Sequence, residues 1–408
     1  MTKAIAVLGG GSVWTPYLIE QIAQLEIAGN LQVRLQGPNE SHLNDVAEFS
    51  RRMVGESLDI KTSVNIEDAV RGASIVLNQA RVGGLSARLD DEVIPVRAGA
   101  IGDESLGLGG LRAAIRTLPF VATAAKAVLD HAPDAHVLNL SNPSDLVSRA
   151  WRAAGGRRVI SLCDYPENSM REIASRVDKP EAATCFGFVG VTHVGWMIPP
   201  RDAQLLDRLD AVSELAHWLS EWEAIPTTWR IHLSNPGALL DRQRQHPGQR
   251  ARQLQELAEE LRGLVRAQDV EGYRLRLLDR LPLWYSGMAA PAIRGLSGGE
   301  PARLVVGMSC DECLQGMNPG SQLESWALLD QDGVHREPIE VSQRCREDMI
   351  RLGQARDLAF DAMMNPSLES LDRYARSDGF TSFPSLRLCW SELLDLASDV
   401  ITPRKRSP

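Results

Sequence analysis

The chain has 408 residues, with 44 Lys and Arg against 53 Asp and Glu, so its formal net charge at pH 7 is −9; 44% of its residues are hydrophobic. No apolar run approaches the roughly 18 residues of a membrane span, and the negative charge argues against sequence-independent binding of nucleic acid. We therefore predict neither a membrane nor a nucleic-acid partner, and a length that accommodates two coupled domains or one elaborated α/β domain.

Cysteine usage indicates the cellular compartment. Six cysteines in 408 residues are too sparse for a disulfide scaffold, and the apolar run that follows Lys3 lacks a signal-peptide cleavage site. We predict a cytoplasmic protein with reduced thiols. The basic tail Arg404-Lys405-Arg406 is interpreted as a solvated terminus.

The first half of the chain alternates between two patterns. Apolar, strand-like runs occur at about 4–8, 32–35, 73–78, 135–140 and 157–162, with segments of helical spacing between them. This alternation is typical of βαβ units and predicts a parallel sheet whose strands are buried on both faces.

The second half is mainly helical. Amphipathic stretches cover 202–224, 253–267 and 341–361, while 304–306 and 326–329 look like strands. The change of pattern near Pro199-Pro200 predicts two domains, 1–197 and 198–408.

A glycine-rich loop follows the first strand. Gly9 and Gly11 match the first two glycines of a dinucleotide fingerprint, but Trp14 stands in place of the third. The acidic ribose-binding residue expected after the second strand is missing, which leaves Asn39 or Glu40 as the candidate for that contact. A simple tight turn explains the same glycines.

Two further strand-like runs end in side chains that can bind a metal. Cys163 and Asp164 follow 159–162, and His193 follows 188–192. A thiolate and an imidazole can hold a divalent transition metal with open positions for substrate oxygens. A buried apolar cysteine and a hydrogen-bonded core histidine would look the same. Cys310 and Cys313 form a single CxxC without a second pair, so they do not predict a zinc ribbon.

Seven motifs, in order along the chain, resemble those of glycoside hydrolase family 4, the NAD- and metal-dependent glycosidases. They are IAVLGGGSVWTP (5–16), RVGGLSAR (81–88), GDESLGLGG (102–110), NLSNPS (139–144), CDYP (163–166), GVTHVGW (190–196) and Trp284-Tyr285-Ser286. The resemblance implies a lactate/malate dehydrogenase-like α/β fold: a Rossmann-like doubly wound parallel sheet followed by a mixed, mainly helical α+β domain. It also implies a homodimer or homotetramer.

The resemblance assigns a role to each matching residue. Cys163 and His193 would bind Mn²⁺ or a similar divalent ion, Tyr285 would be the base, and Asp164 the acid that protonates the leaving group. The residues implied in NAD binding are Gly9, Gly10, Gly11, Ser12, Asn39, Asn78 and Arg81. Those implied in substrate binding are Arg88, Glu104, Asn142 and Thr192, with Arg88 near a 6-phosphate or another anion.

The implied chemistry cleaves a glycosidic bond without a pair of carboxylates. NAD takes a hydride from C3, the base removes the C2 proton, the C1 substituent is eliminated, water adds, and the hydride returns. Without the resemblance, Asp164 could equally be a helix N-cap and Tyr285 a half-buried core aromatic.

The chain departs from the family pattern at the sugar and ribose contacts. Thr192 replaces an Asn before the histidine, Leu281-Pro282 replaces Gly-Gly after Arg280, and 308–310 (Met-Ser-Cys) replaces Asn-Asn-Gly. We therefore expect a substrate that differs from a standard 6-phosphoglucoside, such as another phosphorylated, a sulfonated or a uronic sugar. A dehydrogenase of a hydroxy acid or sugar, and a catalytically inactive NAD-binding relative, are the alternatives.

Overall fold

The computed structural model describes residues 2–311, 313–377 and 393–397. The tail at 404–406 and Cys389 lie outside the described residues. The strands are β1 (Lys3–Leu8), β2 (Leu31–Gln36), β3 (Asp59–Ser63), β4 (Ala73–Asn78), β5 (His136–Asn139), β6 (Val159–Leu162), β7 (Gly187–Val191), β8 (Val194–Ile198), β9 (Ile225–Pro226), β10 (Ala302–Ser309), β11 (Gln322–Asp330) and β12 (Gly333–Arg336).

The α-helices alternate with the first six strands and dominate the second half. They are α1 (Thr15–Ala23), α2 (Glu40–Val54), α3 (Ile66–Val70), α4 (Gly84–Arg97), α5 (Gly107–His131), α6 (Ser144–Ala153), α7 (Tyr165–Arg176), α8 (Ala203–Asp210), α9 (Ser213–Trp222), α10 (Thr228–Ser234), α11 (Pro236–Gln245), α12 (Gln249–Arg266), α13 (Val270–Leu277), α14 (Ala290–Leu296), α15 (Gln343–Met364) and α16 (Leu368–Ser377).

The first six strands form a parallel sheet in the order β3-β2-β1-β4-β5-β6. This is the order of a doubly wound dinucleotide-binding sheet, with ligands expected beyond the carboxyl ends of the strands. Strand β1 is buried along almost its whole length, as a central parallel strand should be. Apolar clusters cover both faces, one involving α1, α2 and α12 and the other α5, α6 and α15. The predicted α/β class and doubly wound sheet are confirmed.

The sheet continues into the second half of the chain. Strand β10 pairs antiparallel with β6, and β11, β7, β8 and β9 follow in that order, with β12 beside β11. The predicted strand-like segments at 304–306 and 326–329 lie in β10 and β11. The division of the chain at residue 197 remains a prediction.

A disulfide joins Cys310 and Cys313 at the end of β10. The expectation of reduced thiols is therefore wrong for this pair, because the short CxxC spacing brings the two sulfur atoms together. Cys163, Cys185 and Cys345 are free. Among the described helices, none combines the length and the apolar character needed to cross a membrane.

Candidate active site

The glycine loop packs between the ends of β2 and β4. The N–H groups of Gly9 and Gly10 both donate to the carbonyl oxygen of Gln36, at 3.0 and 2.7 Å. Gly9 has a φ of 85°, and a Cβ there would lie 2.8 Å from the Cα of Ala80. Only glycine fits both the positive φ and the close contact with Ala80, so the turn itself requires glycine at position 9, whether or not a ligand binds.

The helix that follows this loop begins without a side-chain cap. Trp14 is the N-cap residue of α1 and provides no side-chain hydrogen bond to the first turn. A helix N-terminus without a side-chain cap is suited to a pyrophosphate. A Cβ at Gly11 would have its nearest neighbours, in Leu43 and His42, at 3.8 Å or more, which is ordinary van der Waals contact, so sterics alone do not require glycine here.

The two asparagines predicted to bind NAD occupy different environments. Asn39 is exposed beyond β2, where its side chain accepts the N–H of His42 and caps α2. Asn78 is fully buried at the end of β4; its Nδ2 donates to Asn139 at 2.9 Å and its Oδ1 accepts the N–H of Ala80. The Asn78 side chain is thus occupied in joining β4 to β5.

Glu104 is hydrogen-bonded to three of the predicted site residues. Its carboxylate accepts hydrogen bonds from Arg81, from Arg88 Nη1 (2.8 Å) and from Asn142 Nδ2 (3.1 Å). Burial alone would raise the pKa of Glu104, but the two guanidinium groups outweigh it and hold the pKa far below its usual range. Glu104 is therefore a buried carboxylate that fixes these partners.

Cys163 and Asp164 lie where β6 ends and α7 begins. Burial, followed by the charges of Glu324 and Asp164, raises the pKa of the Cys163 thiol. Asp164 occupies the N-cap position of α7 but caps nothing with its side chain; its Oδ2 accepts a hydrogen bond from Asn168 at 2.9 Å. The N-cap interpretation of this aspartate thus describes its position and not its interactions.

His193 comes to this edge of the sheet on the two-residue turn between β7 and β8. Thr192 and His193 form that turn with positive φ angles of 41° and 68°. The imidazole lies 5.0 Å, centroid to centroid, from the ring of Tyr165, which is two residues from Cys163. Burial lowers the pKa of His193, against the opposing charges of Glu104 and Asp164. The same two carboxylates affect Cys163, so both candidate ligands belong to one site.

Tyr285 reaches the glycine loop from the second half of the chain. It lies in a π-helical segment, Trp284–Ala289, and is 3% exposed, so it is buried and not half-buried as a core aromatic was expected to be. Its hydroxyl donates to Gln79 Oε1 at 2.6 Å, and Gln79 Nε2 donates to the Gly9 carbonyl at 3.2 Å. Burial raises the pKa of Tyr285, while Trp284 and Arg81 lower it.

Sequence reasoning missed Gln79 and Glu324. Gln79 directly follows β4 at the carboxyl edge of the sheet, a position that could have singled it out. Glu324 is buried in β11, its Oε2 has no hydrogen-bond partner, and it lies beside the backbone of His193. Burial, then the charge of Asp145, raises its pKa to about 8. The sequence around Glu324 does not predict a site residue, because β11 comes next to β7 only in the folded protein.

The donor set fits a divalent ion that takes part of its coordination from elsewhere. Nδ1 of His193 is buried without a hydrogen-bond partner, and the lowered pKa favours the neutral imidazole that a metal requires. The thiol of Cys163 is free. Within the part of the chain that the structure describes, no three His, Cys, Asp or Glu residues form a complete metal cluster. Two protein ligands leave room for substrate oxygens.

Comparison with known proteins finds a family and several relatives that are similar to part of the chain. The family model described as family 4 glycosyl hydrolase matches residues 4–179. Over this segment, the chain is similar to family 4 of the glycosyl hydrolases. It is 34% identical over 205 residues to a probable 6-phospho-beta-glucosidase of Bacillus subtilis, covering 48% of this chain and 46% of that protein. It is 28% identical over 228 residues to 6-phospho-alpha-glucosidase 1 of Lacticaseibacillus paracasei, covering 53% and 52%. The matched segments thus span about half the length of these curated relatives.

Solved structures establish the fold over nearly the whole chain. The 6-phospho-beta glucosidase of Thermotoga maritima with manganese, NAD⁺ and glucose-6-phosphate superposes with a TM-score of 0.83 at 22% identity, covering 98% of each chain. Malate dehydrogenase of Cryptosporidium parvum gives a TM-score of 0.51 at 13% identity, covering 89% of this chain and 99% of that protein. The predicted dehydrogenase-like fold is confirmed.

Proposed function

We propose that this chain is an NAD- and divalent-metal-dependent glycosidase that acts on an anionic glycoside, such as a 6-phospho-glycoside. The observation that carries the proposal is the contact between Tyr285, Gln79 and Gly9, which joins a phenol from one half of the chain to the glycine loop of the other. The names of the relatives and the ligands of the T. maritima structure support the substrate class and the cofactors. The family resemblance supports a cytoplasmic homodimer or homotetramer.

Each part of the site has a task in this reaction. When bound, NAD supplies a hydride acceptor and the divalent ion a Lewis acid. Cys163 and His193 would hold the ion, and the glycine loop at the start of α1 would hold the pyrophosphate. Glu104 would keep Arg81, Arg88 and Asn142 in fixed positions around the sugar, which lowers the entropy lost on binding.

Proton transfers fall to Tyr285 and Asp164. Tyr285 must lose its own proton before it can remove one from C2 of the sugar, and its pKa is raised by burial. Positive charge near the hydroxyl favours that loss, and the charge of Arg81 acts in this direction against the larger effect of burial on the pKa of Tyr285. Asp164, held by Asn168, would protonate the leaving oxygen.

Solvent exchange at C2 tests this proposal. Aryl glycosides, phosphorylated and unphosphorylated, are turned over in D₂O with NAD⁺, Mn²⁺ and a reductant, and the released sugar is analysed by NMR. We expect deuterium at C2, no net NADH, and loss of turnover on chelation of the metal. Net NADH formation would instead favour a dehydrogenase, and absence of both turnover and NAD⁺ binding would favour an inactive relative.

Cysteine variants test the metal assignment separately. We expect Cys163→Ser to lower both Mn²⁺ affinity and turnover at least about 10-fold, because thiolate ligation is lost. The exposed free cysteine supplies the control, and Cys185→Ser should leave both unchanged. Turnover that survives both Cys163→Ser and chelation would contradict the metal assignment.

A further inference from the structure

Arg88, the residue predicted to bind an anion, has carboxylate partners on two sides. It is 9% exposed; its Nε donates to Glu92 Oε1 at 2.9 Å and its Nη1 to Glu104 Oε1 at 2.8 Å. These two carboxylates neutralise its charge and occupy donors that a substrate anion would need. Arg88 is therefore poorly placed to recognise an anion and well placed to hold Glu104.

Arg88, Glu92 and Glu104 form an ion-pair cluster. Glu92 also connects this cluster to a second helix. Its Oε2 accepts the N–H of Ala251 at 3.0 Å, in the first turn of α12. The neighbouring Arg250 thereby comes close enough to Arg88 for the two like charges to lower the pKa of Arg250, after the larger effect of burial. Exposed Arg250 stands at the rim of the cluster.

Arg280 lies in the segment that precedes Tyr285, within electrostatic range of Arg88 and Glu104. Its guanidinium carbon lies 5.5 Å from the ring centroid of Trp284, and its Nη1 is buried without a hydrogen-bond partner. Burial, then the charges of Arg250 and Arg88, lower its pKa to about 10, while Glu104 and Asp164 act in the opposite direction. A buried guanidinium nitrogen without an acceptor costs free energy until an acceptor arrives.

We infer that Arg280 binds the anionic group of the substrate, with Arg250 as a second cation at the rim, and that Arg88 serves as a positioning residue for Glu104. Among the described residues, neither Arg280 nor Arg250 has a carboxylate within ion-pair distance. Two guanidinium groups suit a phosphate monoester, which carries nearly two charges and three acceptor oxygens, better than a carboxylate. The inference rests on the proposed function, because it concerns the substrate of that site.

Calorimetric binding of three sugars to the full chain, at fixed NAD⁺ and Mn²⁺, tests the inference. The probes are glucose 6-phosphate, glucuronate and glucose. We expect the wild-type protein to bind glucose 6-phosphate most tightly, and Arg280→Gln to reduce its preference over glucose about 30-fold or more. Arg280→Lys should restore part of that preference, because it keeps the charge but loses the planar fork. Arg250→Gln should reduce it about threefold, as for an exposed rim charge.

Two variants separate the roles of the arginines. Arg276→Gln removes a positive charge from the exposed end of α13, where Arg276 pairs with Glu260, and should leave the preference unchanged. Arg88→Gln should weaken glucose 6-phosphate and glucose by the same factor, because it disturbs Glu104 and not the anion contact. Far-ultraviolet circular dichroism and NAD⁺ binding show that each variant is folded.

Several results would overturn the inference: an unchanged preference in Arg280→Gln, a selective loss of the phosphorylated sugar in Arg88→Gln, or glucuronate binding as tightly as glucose 6-phosphate. The readout is independent of turnover. A protein that exchanges deuterium at C2 but does not prefer the phosphorylated sugar retains the proposed function without this inference. A protein that prefers it but shows no exchange retains the arginine assignment and loses the proposed mechanism.

Discussion

Thr192 shows that one departure from the family pattern has a backbone consequence. The turn between β7 and β8 has two residues, both with positive φ, which is the geometry of a type I′ hairpin turn. Asparagine tolerates this region, whereas a β-branched residue such as threonine is strained there. The turn geometry is therefore one physical reason for the Asn that the family usually has before the histidine.

This explanation predicts that Thr192→Asn stabilises the protein. We expect the free energy of unfolding to rise by about 1 kcal/mol, measured by urea denaturation, because the new residue relieves the strain at φ 41°. Thr123→Asn, on the exposed side of α5, is the matched control and should change stability by less than about 0.5 kcal/mol. A destabilised Thr192→Asn protein would show that the threonine side chain itself is needed at this turn.

At the scale of elements, periodicity predicted five of the six parallel strands. Strand β3 was missed because it lies at the edge of the sheet and buries only Ile60, so its sequence lacks an apolar run. Motif order located Cys163, His193 and Tyr285, since these follow recognisable segments. The partners Gln79, Glu324 and Arg280 depend on contacts between distant elements, which spacing along the chain does not reveal.

The end of β2 lacks the carboxylate that usually binds the ribose. Gly37 occupies the position directly after the strand, and its φ lies outside the left-handed region. A Cβ there would meet the Gly11 nitrogen and Leu43 Cδ1 at 3.6 Å, which is ordinary van der Waals contact. The backbone therefore accepts a side chain at Gly37, next to the glycine loop.

Gly37→Asp should strengthen the preference for NAD⁺ over NADP⁺. We expect about 10-fold tighter NAD⁺ binding, from a charged hydrogen bond to the ribose hydroxyl, and weaker NADP⁺ binding, from repulsion of its 2′-phosphate. Fluorescence titration with both dinucleotides measures the change. Ser41→Asp adds the same charge in the first turn of α2 and should have little effect on the ratio. An unchanged ratio in Gly37→Asp would place the ribose away from β2.

At the scale of the whole molecule, the pairing of β6 with β10 joins the parallel part of the sheet to the rest; we call this pairing the seam. Strands β6 and β10 pair only at Val306 with Leu162 and at Gly307 with Ser161. Gln322 on β11 reinforces the seam by donating from Nε2 to Ser161 Oγ at 2.8 Å. Cys163 directly follows β6. The pairing of β6 with β10 therefore also determines where this candidate metal ligand lies relative to the second half of the chain.

Gly307→Ala should weaken the seam. A Cβ at Gly307 would overlap Ser161 Oγ and Gln322 Nε2, both of which are buried and bonded to each other. We expect the free energy of unfolding to fall by about 2 kcal/mol or more, as in overpacked cores. Gly263→Ala is the matched control: it lies inside α12 with nothing within 4 Å of its Cβ, so helix propensity should raise stability by about 1 kcal/mol. Urea denaturation should show that the free energy of unfolding falls in Gly307→Ala and rises in Gly263→Ala. A change of the same sign in both variants would contradict the close packing at the seam.

Mn²⁺ affinity should fall together with stability only in Gly307→Ala, because only that variant displaces the strand that leads to Cys163.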